Sequence, residues 1–204
     1  MALGPARAVV TPRCPTWTEA KRRCEALELL TYGHMRNPSW PTPDPIGPGE
    51  ESVWDYPRPP RIEPTKRRLQ VYLNGVCIAD CRRGLRVLET SHPPTYYLHP
   101  DDFVAGAVQP SRSARGSLCE WKGQASYHDL VAGVVRLRAV AWSYADPTPG
   151  SGMLPSYIAL YAGAVDRCLV DGAQVTPQPG DFYGGWITPN VKGPFKGIPG
   201  SRFW

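Results

Sequence analysis

Apolar and polar residues alternate through Leu69-Gln-Val-Tyr-Leu73 and, after Asn74-Gly75, through Val76-Cys-Ile-Ala-Asp80. A period of two puts Leu69, Val71 and Leu73 on one face, as a half-buried strand requires. Asn-Gly supplies both positive-φ positions of a type I′ turn, so the pair reads as a β-hairpin. Arg86-Val-Leu-Glu-Thr90 continues as a third strand, and Tyr96-Tyr-Leu98 follows Pro93-Pro94 as a fourth. Pro100-Asp-Asp-Phe103 opens a short helical turn. Strand patterns recur over Ser117–Trp121, Ala125–Tyr127, Val135–Ser143, Tyr157–Tyr161 and Arg167–Val170, and Asp171-Gly172 marks another hairpin turn. Nothing in residues 66–175 is amphipathic over enough length for more than one or two short helices. The expected core domain, 66–175, is therefore mainly β and antiparallel.

The flanks follow other patterns. Thr16 or Thr18 can cap a helix over 16–31, with Ala20, Cys24, Leu27 and Leu30 at helical spacing. Met35 reads as a natural start, which makes 1–34 an N-terminal extension. Residues 35–65 carry a dense run of prolines, biased to extended structure and unsuited to helix or central strand. Trp40, Trp54 and Tyr56 in that run are costly to leave in water, so it reads as a strap packed on the body. Residues 176–204 alternate glycine with aromatics, as in Gly180-Asp-Phe-Tyr-Gly-Gly-Trp186, and read as a second strap that wraps the body or reaches over a pocket. Long irregular arms thus bracket the β core.

Composition narrows the function classes. The formal net charge of +5 lacks the dense basic footprint of nucleic-acid binding, so no nucleic-acid partner is expected. No apolar run approaches the ~20 residues of a membrane span, and no secretory segment opens the chain. The expectation is a cytoplasmic protein with no membrane partner, whose six cysteines are mostly thiols. Cys77 and Cys81 lie four apart on one strand, roughly 13 Å, too far to share a metal. No second pair follows, and no metal site is assigned.

The chemistry gathers in three stretches: Glu89-Thr-Ser-His-Pro-Pro-Thr-Tyr-Tyr97, Cys119-Glu-Trp-Lys-Gly123 running on to Tyr127 and His128, and Ala141-Trp-Ser-Tyr144. Rings, a thiol, a carboxylate, a lysine and histidines at the ends of apolar strands build lined pockets. Glu89 either caps its turn through backbone N–H groups or faces a ligand as acceptor or general base. Cys119 is a structural thiol, a pocket wall or a nucleophile activated by a neighbouring cation. Strand alternation over 117–121 would put Glu120 and Lys122 on one face and Cys119 and Trp121 on the other. Trp142 and Tyr144 share a face and either pack in the core or stack on a planar ligand. Phosphate-loop, dinucleotide and serine-elbow signatures are absent.

Taken in order, these residues resemble the bacterial family known as domain of unknown function 427. The resemblance runs from Val71-Tyr-Leu-Asn-Gly75 and Ile78-Ala-Asp80 through Glu89-Thr90, Pro94, Tyr96-Tyr97, Cys119, Lys122-Gly123, Ala125 and Tyr127. It continues through Ala141-Trp-Ser-Tyr144 to Ala159-Leu-Tyr161, covering roughly 66–175. Cys81 departs from the pattern, where a serine is common. The resemblance implies a β-tent-like fold, a pair of antiparallel sheets leaning together, as in methionine sulfoxide reductase B and the ligand-binding domain of cereblon. Those relatives often hold zinc on two Cys pairs that this chain lacks. The family also carries a nucleotidyltransferase label, yet Asp101-Asp102 is the only adjacent aspartate pair available to hold Mg²⁺.

The expectation is a domain that binds a small, partly planar molecule. Tyr97, Trp121, Tyr127, Trp142 and Tyr144 would form the walls, while Glu89, Lys122 and His92 would orient polar groups. The rival readings are an enzyme on the same pocket, with Glu89 as base or Cys119 as nucleophile or as a nucleotidyltransferase, and a protein-interaction module built on Trp54 and Trp186. The residues name no cofactor and no oligomeric state.

Overall fold

The computed structural model describes residues 40–180 and 182–204. Pro41–Trp204 form one compact unit. The expected helix over 16–31 and the extension 1–34 lie outside the described residues.

The alternating hairpin forms as its pattern dictates. Leu69–Leu73 and Val76–Cys81 pair antiparallel, and the turn between them uses Asn74 at φ 52° and Gly75 at φ 73°. Asp171 and Gly172 make the same kind of turn, at φ 51° and 82°, between Arg167–Val170 and Ala173–Gln174. Together these four strands make one sheet, with Arg167–Val170 beside Leu69–Leu73.

A second sheet is built on the long strands Gly123–Ala132 and Val135–Ser143. Ala159–Leu160 flanks one and Val108–Pro110 the other, and Ser117–Cys119 also pairs with Gly123–Ala132. A third sheet runs Arg61–Pro64, Leu85–Leu88, Thr95–Tyr97, all antiparallel. The class is mainly β in several antiparallel sheets, with short 3-10 turns such as Val53–Asp55 and Pro100–Asp102. Two minor pairings complete it, Thr176–Pro177 with Trp186–Ile187 antiparallel and Glu51–Ser52 with Val191–Lys192 parallel. No helix among the described residues is long and apolar enough to cross a membrane.

Several boundaries depart from the sequence reading, each for a local reason. The strand expected over Ser117–Trp121 stops at Cys119, and Glu120–Lys122 form a hairpin loop that Gly123 closes at φ 92°. The face assignment for Cys119 to Lys122 therefore does not hold. The strand expected over Ala125–Tyr127 runs on to Ala132, past His128 and Asp129. Those polar residues are accommodated because His128 Nε2 pairs with Ser143 Oγ at 2.8 Å, and Asp129 accepts from Arg136 and from the Ala139 amide, both at 2.9 Å. The Ala139 bond stabilises a bulge in Val135–Ser143, where Ala139 sits at φ 54°. The strand expected over Tyr157–Tyr161 is only Ala159–Leu160. Prolines do not exclude strand from the earlier segment, because Arg61–Pro64 is an edge strand with its proline last.

The main core lies between the four- and five-stranded sheets, where Leu69, Val71, Ile78, Leu130, Leu160 and Cys168 are nearly inaccessible. Trp186 enters this core fully buried, its ring 5.4 Å from that of Tyr96. A second cluster joins Leu85 and Val87 of the three-stranded sheet to Ala125 and Trp142 of the five-stranded one and to Tyr144 just beyond it. A third, of Val53, Tyr56, Leu88 and Val191, fastens segments from both ends of the unit.

Candidate functional site

The second cluster stops short of filling the space between its two sheets, and a cavity of about 480 Å³ opens there. Thr95–Tyr97 brings Tyr97 to one wall. The paired positions Tyr127 and Trp142 come from the two long strands, and Tyr144 follows just beyond. Tyr97, Trp142 and Tyr144 are 0, 8 and 5% exposed, and the Trp142 indole N–H donates to the Tyr97 hydroxyl over 3.2 Å. Ser117 and Tyr127 share a hydroxyl bond of 3.0 Å, and the Tyr161 ring lies 4.7 Å from Trp142. Burial raises the Tyr97 and Tyr144 hydroxyls above their ordinary range and that of Tyr161 to about 12. The wall is therefore a set of protonated phenols fixed to one another and to the indole.

The hairpin loop Glu120–Lys122 forms the opposite lip. It is held by Ser151 Oγ, which donates to the Trp121 carbonyl over 3.2 Å, and by Thr148, whose hydroxyl donates to the same oxygen and whose amide reaches the Lys122 carbonyl. The Lys122 ammonium stands 6.0 Å from the centre of the Tyr144 ring. Cys119, half-buried at the end of its strand, lines the cavity beside this lip.

Glu89 and His92 sit on a turn closed by the His92 amide donating to the Glu89 carbonyl over 2.9 Å, with Ser91 at φ 70°. Neighbouring segments hold the turn in place. The Thr90 hydroxyl donates to the Tyr56 carbonyl over 2.6 Å, the Ser91 amide to that of Val53, and the Lys196 amide to that of Ser91. Glu89 is paired with Arg58, Nε to Oε1, at 3.4 Å. Burial, aided by Lys196, Arg58 and Lys122, pulls the His92 imidazole down to about 3, so it is neutral at physiological pH. Burial and Arg58 also lower Lys196, whose ammonium donates to the Trp204 main-chain oxygen over 2.7 Å.

All nine residues singled out from the sequence line this cavity: Glu89, His92, Tyr97, Cys119, Trp121, Lys122, Tyr127, Trp142 and Tyr144. Tyr161, Gln178 and Lys196, not singled out from the sequence, also line it, as do Tyr183 and Gly184 of the strap expected to wrap the body or reach over a pocket. Gln178 is buried between two prolines and carries no motif; only its position before an aromatic-glycine run hinted at it. Gly184 lies so close to the indole that a Cβ there would stand 2.2 Å from Trp142 Cη2. At the mouth, Leu118 and Phe182 remain 79 and 75% exposed.

A larger concavity, about 670 Å³, lies elsewhere, lined by Gln109, Arg112, Asp129, Arg136 and Arg138. It contains no aromatic ring, and Asp129 is already committed to Arg136 and to the Ala139 amide. The smaller cavity is lined by aromatic rings and by buried hydroxyls. Among the described residues, no three His, Cys, Asp or Glu side chains come together to hold a metal ion. Asp102 of the aspartate pair binds Arg83 at 2.8 Å, which leaves it poorly disposed to share Mg²⁺ with Asp101.

Against protein families, residues 61–171 match the domain of unknown function DUF427, labelled NTP_transf_9, and the chain belongs to that family. No curated protein matches it.

Proposed function

We propose that this member of the family binds a small, partly planar molecule in the cavity between the three- and five-stranded sheets. One observation carries the reading: nine reactive or aromatic side chains, from stretches scattered over 89–144, converge on a single space of about 480 Å³. That volume falls in the range of small-ligand pockets, roughly 300–1,000 Å³. Buried phenols and an indole offer flat apolar surface, and Glu89, His92 and Lys122 add a polar end. A nucleotidyltransferase reaction has weaker support, because its metal would need clustered carboxylates and Asp101-Asp102 is engaged by Arg83.

The test is native mass spectrometry of freshly purified protein against its denatured mass, followed by tryptophan-fluorescence titration with a library of planar compounds. The reading expects an added mass lost on denaturation, or saturable quenching by library members that Trp142→Ala removes. A clean apo mass together with no saturable quencher would overturn it.

A further inference from the structure

The orientation of one buried amide fixes the proton on His92. The Gly185 N–H can only donate, and it meets Gln178 at 3.1 Å, so that end of the amide is Oε1. The Gln178 NH₂ therefore points the other way, 2.9 Å from the Lys196 carbonyl and 3.0 Å from His92 Nδ1. A carbonyl only accepts, so one amide proton goes to Lys196 and the other to His92. Nδ1 must then accept with its lone pair. The imidazole is neutral and carries its proton on Nε2. A cationic imidazole would turn an N–H of its own against the NH₂ of Gln178. The Tyr183 ring, T-shaped at 4.9 Å, helps hold the imidazole in place.

No acceptor among the described residues takes the Nε2 proton, and His92 lines the cavity. The charged groups around it are of unequal freedom. Glu89 is answered by Arg58, and Glu120 is exposed on the lip. Lys196 is bonded to the Trp204 main-chain oxygen, while Lys122 has no ion pair among the described residues. A fixed neutral donor that lines the same cavity as an ammonium without an ion pair among the described residues makes a receptor for oxygen that carries negative charge. A cationic group in that place would face an N–H dipole and the ammonium groups of Lys122 and Lys196.

We propose that the ligand of this cavity ends in an anionic oxygen, of a carboxylate or a phosphate, received by the His92 Nε2–H and the Lys122 ammonium while its planar part lies against Trp142. This rests on the small-molecule reading above and adds the class of ligand. Gln178 is the positioning residue, acting through His92.

Three probes test it on the full chain labelled with ¹⁵N-histidine: benzoate, phenyl phosphate and neutral benzamide. The His92 signal, assigned by its loss in His92→Phe, should show the Nε2–H tautomer and no titration between about pH 5 and about pH 8. Millimolar benzoate or phenyl phosphate should move it saturably, and benzamide should bind about ten-fold more weakly or not at all. Which acid binds better separates carboxylate from phosphate ligands. His92→Gln, whose amide can place an N–H near the Nε2 site, should keep most of the acid preference. Gln178→Glu should move the imidazole proton to Nδ1, a change that a merely structural role would not produce.

A Nδ1–H or cationic imidazole in the wild type overturns the proposal, as does benzamide binding as tightly as benzoate. Binding of neutral and acidic probes alike, abolished by Trp142→Ala, would leave the pocket reading standing and remove only the anionic class. Failure of every probe to move His92 or quench tryptophan would count against both.

Discussion

The neutral, half-buried His92 predicts how the fold responds to mild acid. In the unfolded chain its imidazole titrates near the ordinary 6.5, and in the fold it is held at about 3. Between those values the unfolded state binds a proton that the folded state does not, so stability falls as pH is lowered through 6.5 and is unaffected by this group above it. Each pH unit in the window is worth about 1.4 kcal/mol per proton. Integrated from about pH 7.5 to about pH 5, the loss is about 2 kcal/mol, a sizeable part of the stability of a domain of this size.

The assay is urea unfolding followed by tryptophan fluorescence at both pH values, for the wild type and for His92→Gln. His128, also lowered by burial, contributes a slope of the same sign to both proteins and cancels in the difference. The carboxylates held low by arginines, Asp80 and Asp102, begin to titrate only below the window. The wild type should lose about 2 kcal/mol more than the variant over this range. Parallel pH profiles for the two proteins would show that His92 is solvated or already charged, and would refute the reasoning.

Other perturbations probe other parts of the arrangement. In Gly184→Ala the new Cβ would stand 2.2 Å from Trp142 Cη2 and 2.9 Å from Cζ2, so the indole or the segment must shift. The expected loss is about 1–3 kcal/mol in thermal unfolding, with a changed near-UV spectrum; an unaltered Tm would exclude this packing. Arg86 binds Glu51 at 2.7 Å and Glu63 at 2.6 Å, and Arg86→Met would remove the shared cation, leaving Glu63 with only Arg61 at 3.1 Å. Burial alone would raise Glu63, and only Arg86 and Arg61 together hold it below its ordinary value, so the variant should lose about 2 kcal/mol at neutral pH and recover part of it below about pH 4.5. Equal destabilisation at both pH values would contradict that electrostatic origin. Native alkylation should modify Cys77 and Cys119 and spare Cys81, whose thiol burial pushes up to about 11, and Cys168, 1% exposed. Benzoate should protect Cys119 and leave Cys77 unaffected; peptide mapping reads both outcomes, and an unreactive Cys119 would remove it as a nucleophile.

Much of this architecture is legible in the sequence because its signals are local. Asn74-Gly75 and Asp171-Gly172 specify turns by backbone conformation alone, and the alternation through Leu69–Leu73 specifies which face is buried. What escaped local reading depends on partners distant in the chain. Gly123–Ala132 looks interrupted at His128 and Asp129 until Ser143 and Arg136 answer them from the neighbouring strand. The stop at Cys119 is set by the glycine four residues on, which converts an apparent strand into a hairpin lip. The candidate site divides the same way. Its rings and Glu89 lie on strands or just beyond them, where chemistry-bearing residues attract notice, whereas Gln178 has meaning only once Gly185 and His92 are seen on either side of it.

That division bears on how a ligand would be held. The aromatic wall belongs to strands whose hydrogen bonds run through two sheets, so its shape is fixed before anything binds. The polar end is fixed differently, by main-chain bonds from Val53, Tyr56 and Lys196 onto the Thr90–Ser91 turn, and by Gln178 onto His92. Segments from both ends of the unit thus meet at the one turn that presents Glu89 and His92. Loosening either segment would disturb the donor geometry at His92 while leaving the Trp142 wall intact. The specificity of the site would accordingly fail before its apolar affinity does, and variants in the terminal segments should lose acid-over-amide discrimination first.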